Sequence, residues 1–146
     1  MSFLALIVWL IWTSNGFAHD ATGIPLPMHP ESPDAQATDL ADVICADDGH
    51  GPTSYLFAQV RDDSPPAPGL MVNLQVIKGS QAANTTDPVS GDGVYSEPIL
   101  LPGGDGVYRM LANKTGPGRR VFSVIWHCMT SDHVHTGTEI QVRQVQ

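Results

Sequence analysis

Apolar and polar residues alternate along several short stretches of this 146-residue chain. A two-residue period marks half-buried β-strands, because successive side chains point to opposite faces of a sheet. Over residues 70–78, Leu70, Val72, Leu74 and Val76 share one face while Asn73 and Gln75 take the other. Residues 54–61 repeat the pattern with Leu56, Ala58 and Val60, and residues 42–46 put Val43 and Cys45 together. From residue 121, Phe122, Val124, Trp126 and Cys128 form a further core face, and the stretch 121–142 predicts the last β-hairpin. Gly, Pro and Asp clusters at 47–52, 62–69 and 114–118 mark the turns between strands. The string Gly-Asp-Gly-Val-Tyr occurs twice, at 91–95 and 104–108, each copy predicting a tight turn that delivers the chain into an aromatic-bearing strand. Residues 96–101 contain Pro98, which predicts a sheet edge or a bulge, and the polar stretch 79–91 predicts a short edge strand or an excursion. No segment has a helical period.

Short strands separated by such turns predict an all-β fold, a single β-sandwich of about seven strands. A tryptophan beside a disulfide between sheets makes it similar in architecture to immunoglobulin-like and cupredoxin-like sandwiches, a likeness that carries no function with it.

The first residues change the picture of the compartment. An apolar run from Phe3 to Trp12 is followed by small and polar residues, with Gly16 and Ala18 placed for cleavage. That predicts a signal peptide over 1–18, since the run is about half of the ~20 residues needed to span a bilayer. Residues 19–39 carry four prolines and no apolar period, predicting a Pro-rich disordered arm ahead of a domain at 40–146. The two cysteines of an exported chain, Cys45 and Cys128, predict one disulfide.

A net charge of −8 excludes nucleic acid and anionic membrane surfaces as expected partners, and no membrane insertion is expected after signal cleavage. Catalysis finds no motif: there is no nucleophile elbow, zinc-protease helix motif or glycine-rich phosphate loop. The Asp-Gly turns at Asp47, Asp48, Asp92 and Asp105 match no calcium-loop spacing. In a eukaryotic host, residues 84–86 and 113–115 would be glycosylation sequons.

The densest chemistry lies at 127–135, where three of the six histidines stand beside Cys128 and Met129. Imidazole and soft sulfur ligands suit copper. The spacing of Cys128 and His133 resembles the last copper motif of multicopper oxidases, but Met129 stands where that motif needs histidine, which excludes the match. Phe122, Val124, Trp126, Asp132 and His133 resemble the late segment of periplasmic copper-resistance chaperones, which also carry a histidine at the mature N-terminus, as His19 would be here. The resemblance implies Cu(II) held by the His19 amine and imidazole, with His133 or His135 completing the site. Strand alternation turns His127 away from Cys128, so the expected metal ligands are His133, His135 and His19, for copper or another transition metal. In the plainer reading of the same residues, Cys128 belongs to the disulfide and the histidines are merely solvated. The alternative function is an extracellular module that recognises an unknown protein or glycan partner. An apolar patch of Met71, Ile77 and Leu111 would favour it.

Overall fold

A computed structural model describes residues 20–25 and 34–146. The described chain is all-β, with strands β1 (Asp20–Pro25), β2 (Thr38–Ala46), β3 (Tyr55–Asp62), β4 (Val72–Lys78), β5 (Gln81–Asp87), β6 (Ile99–Pro102), β7 (Gly106–Lys114), β8 (Val121–Met129) and β9 (Gly137–Gln144). They form two antiparallel sheets packed as a sandwich, one ordered β1-β8-β3-β6 and the other β5-β4-β7-β2-β9. No helix among the described residues is long and apolar enough to cross a membrane.

The core follows the alternation in the sequence. Leu56, Ala58 and Val60 from β3, Val72, Leu74 and Val76 from β4, and Phe122, Val124 and Trp126 from β8 are all buried between the sheets. Each large side chain so removed from water contributes about 1.5–3 kcal/mol. Cys45 of β2 and Cys128 of β8 are joined by a disulfide with a Cα–Cα distance of 5.6 Å, which staples one sheet to the other across 83 residues of sequence. The two edge strands expected from composition are edges: polar β5 closes one sheet, and short β6, next to Pro98, closes the other.

Three expectations differ from the fold. Residues 121–142 are not a hairpin, because β8 and β9 belong to different sheets. The chain does begin a tight reversal, with a bridge between Met129 and His135 and a hydrogen bond from the Thr136 amide to the Cys128 carbonyl (2.9 Å). It then crosses to β2, where Gly137 lies opposite Ala46. A Cβ on Gly137 would stand 2.6 Å from the Ala46 carbonyl oxygen, so only glycine permits this approach. The arm over 19–39 also carries strand at both described pieces: β1 lies on the free edge of β8, and β2 starts at Thr38. Backbone pairing at a sheet edge needs no apolar period, which is why proline-rich composition gave no sign of it. Finally, the first Gly-Asp-Gly-Val-Tyr copy is a loop, and only the second opens a strand, β7. Tyr108 of that second copy is fully buried and donates to the Gly104 carbonyl (3.0 Å), while Tyr95 of the first lies against the Arg61 guanidinium at 4.7 Å.

The two ends of the sandwich are built differently. Where β8 begins, Arg120 pairs with Asp62 at 2.7 Å, both side chains almost wholly out of water. Asp62 is fixed further by its amide, which donates to Asp87 (2.6 Å), and Arg120 also donates to the Pro65 carbonyl (3.0 Å). Where β8 ends lie the disulfide and the histidines.

Candidate functional site

The outward face of the β1-β8-β3-β6 sheet collects rings at its histidine end. Antiparallel register sets Phe57 of β3 opposite His127 of β8, and Tyr55 opposite Met129. On the other flank Phe57 faces Leu100 of β6, which is 57 % exposed. Phe57 stacks on His127 with ring centroids 5.7 Å apart, and His127 stacks in turn on His135 at 4.3 Å and 20° between planes. His133 meets Tyr55 edge-on, its Nδ1 2.8 Å from the phenolic oxygen.

The loop between β8 and β9 holds these rings in place through its backbone. The Thr130 amide donates to the Val134 carbonyl (2.8 Å), and the Val134 amide returns a bond to the Thr130 hydroxyl (3.1 Å). His133 sits at φ 61°, a left-handed turn position in a non-glycine residue. Thr136, buried at the end of the loop, donates through its hydroxyl to the Gly51 carbonyl (2.8 Å). That contact draws the turn over 47–51 against the loop. In this turn His50 bonds Asp48 (2.8 Å) and holds the Asp48 carboxyl below its ordinary range.

The expected ligands are therefore distributed in two pairs. His135 is joined to His127, and His133 to Tyr55. His127 was set aside in the sequence because it faces away from Cys128, which is true, but that same outward direction brings it to His135. Only the reversal at 129–135 reveals this, since strand alternation compares neighbours along one strand and not side chains across a turn. Cys45 and Cys128 are both consumed by the disulfide. His19 lies outside the described residues. Among the described residues, no group of three or more His, Cys, Asp or Glu side chains is gathered to hold a metal ion.

Comparison with protein-family models, curated proteins and solved structures finds no match for the chain. Function therefore has to be read from the site itself.

Two chemical points follow from the geometry. Imidazole lone pairs lie in the ring plane, so rings stacked 20° from parallel direct them side by side, not toward one point. A shared metal at about 2.0–2.1 Å from each nitrogen requires one ring to turn, and exposed His135 is free of the core to do so. For His133, the tautomer that donates Nδ1–H to Tyr55 leaves the Nε2 lone pair unused. A hydrogen bond from the second nitrogen orients metal-bound histidines in the same way. Met71, Ile77 and Leu111 do not all fall together, although Ile77 and Leu111 are diagonal neighbours on one face. Leu111 lies opposite Gln75 and Ile77 opposite Arg109, whereas Met71 stands six residues before Ile77, about 20 Å along the strand direction.

Proposed function

We propose that the chain is an exported binding module, not a catalyst, and that it captures copper or another transition metal at the histidine end of the sandwich. The observation that carries this reading is the 4.3 Å stack of His127 on His135, two imidazoles from the two sides of one turn. The register of β1 supports it. Asp20 stands opposite Ile125, two residues from His127 along β8. Cleavage after Ala18 would make His19 the first residue, one peptide unit of about 3.8 Å from Asp20. The amine and imidazole that such cleavage would free at His19 are further donors in this reading, as is His133, oriented by Tyr55. The disulfide and the predicted signal peptide support an oxidising, exported setting.

The test is metal content after purification with a native N-terminus beginning at His19, compared with His127→Ala/His135→Ala and His133→Ala/His135→Ala variants. Loss of about one equivalent of copper in the first pair is the expected result. Equal copper in wild type and both variants rejects the site.

A second reading, recognition of a glycan or protein by the same face, is favoured by the row Leu100, Phe57 and His127, an apolar and aromatic strip on an open sheet surface. It predicts polysaccharide or protein binding that survives a chelator and disappears in Phe57→Ala.

A further inference from the structure

A second candidate site lies between the sheets, away from the histidines. Because β8 and β9 follow each other in sequence yet belong to different sheets, their inward side chains face across a gap. A cleft of about 40 Å³ occupies it, with Phe122, Val124 and Trp126 of β8 on one wall and Ile140 and Val142 of β9 on the other. Val142 is 55 % exposed despite pointing inward by alternation, so the cleft opens to solvent along the free edge of β9. The cleft is narrow and open at one side, with room for a slender group and not for a bulky one.

Two lining residues do not fit an apolar wall. The Trp126 indole Nε1 and one Asp39 carboxylate oxygen, Oδ2, are buried and have no hydrogen-bond partner among the described residues. Trp126 is 2 % and Asp39 8 % exposed. Leaving such an atom unpaired costs about 1–3 kcal/mol, and more when it is charged. The other Asp39 oxygen accepts from the Gln146 amide at 2.9 Å, so the unpaired one is the oxygen left over once the C-terminal strand has been tied down. Burial raises the Asp39 pKa to about 6, and at neutral pH the group is still mostly a carboxylate. An acidic oxygen set in an apolar cleft, on a chain of net charge −8, calls for a cation with an apolar body.

We propose that this cleft binds an aliphatic primary amine, its ammonium donating to Asp39 and its stem lying between Phe122 and Val142 along β9. Counting from the disulfide that levels Cys128 with Cys45, Asp39 falls opposite Phe122 and Trp126 four residues further along, about 13 Å. The stem of an eight-carbon amine therefore runs from Asp39 toward the indole. A ligand that also carries an acceptor oxygen at its far end would satisfy Trp126 too.

The indole N–H is its own reporter in a ¹H–¹⁵N spectrum of the full chain, assigned by the peak missing in Trp126→Phe. Titration with n-octylamine is expected to move that peak saturably, together with the Ile140 and Val142 amides, while octanoate moves none of them. Asp39→Asn, with a folded spectrum, should weaken octylamine at least about tenfold, the loss of one charge-assisted hydrogen bond. Val142→Lys, a change at a half-exposed position, should abolish binding by placing a competing ammonium at the mouth. The proposal is overturned if octylamine gives no saturable shift up to its solubility limit, or if folded Asp39→Asn and Val142→Lys bind it as wild type does.

Discussion

Both ends of β8 are pinned, by opposite chemistry. At its start Arg120 and Asp62 are shut away from water at 3 % and 0 % exposure, within a network of polar side chains that bond to the chain itself. Ser123 donates to Asp63 (2.5 Å), Asp63 accepts from Arg61 (2.6 Å), and Asp87 accepts from the Val89 amide (2.9 Å). At its end the pin is the Cys45–Cys128 bond, which needs no polar neighbours. The outward residues on either side of Cys128, His127 and Met129, are thereby relieved of structural work and stand with Tyr55, Phe57, His133 and His135 on an open face. The ion pair turns its charges inward, away from any metal, whereas the disulfide end carries its imidazoles on the outward face.

The contrast makes graded predictions. The largest effect is expected from Arg120→Ala, which strands the Asp62 carboxylate in the interior and should cost about 3–5 kcal/mol in denaturant unfolding. A loss below 1 kcal/mol would mean that end is not held by this pair. Replacing both cysteines, Cys45→Ala/Cys128→Ala, is expected to cost about 2–4 kcal/mol, since the bond closes a long loop of the unfolded chain. It should also weaken copper binding in the surviving fold by loosening the turn that carries His135. Intact copper affinity in that variant would separate the staple from the site.

A smaller effect is expected with pH. Asp39 has its pKa raised from an ordinary 3.8 to about 6 by burial, so between those values the folded state holds the proton more tightly than the unfolded chain. Its contribution is then most favourable below pH 4 and is lost as pH rises through about 6. Asp39→Asn should remove that slope, so that its melting temperature gains on wild type from pH 4 to pH 7. Parallel curves would show that Asp39 titrates normally. The smallest effect is expected of His135→Ala, an exposed ring at the open end, within about 0.5 kcal/mol of wild type. A loss comparable to that of Arg120→Ala would erase the difference between the two ends.

The sandwich was legible because alternation is local: Leu56, Ala58 and Val60 announce their shared face without reference to any other strand. The disulfide was legible because a chain with two cysteines and an expected signal peptide has only one pairing to make. Contacts across long sequence separations were not. Arg120 and Asp62 are 58 residues apart with no spacing to link them, and the cleft that Asp39 and Trp126 both line draws on residues further apart still. The passage of the chain from β8 to β9 was misread because the bridge from Met129 to His135 is that of a hairpin; only Gly137, packed on Ala46, sends the next strand to the other sheet. His127 was lost for the same reason, since its partner stands across the turn.

The central claim, that copper binds at the disulfide end of β8 and not at the ion-pair end, is tested most directly by paramagnetic broadening. Substoichiometric Cu(II) added to the chain beginning at His19 should erase the amide signals of His127, His135, Phe57 and Asp20 in a ¹H–¹⁵N spectrum. Signals from Asp62, Asp87 and Arg120 should remain. Broadening centred instead on the Asp47–His50 turn, or spread evenly over both ends, would contradict the account.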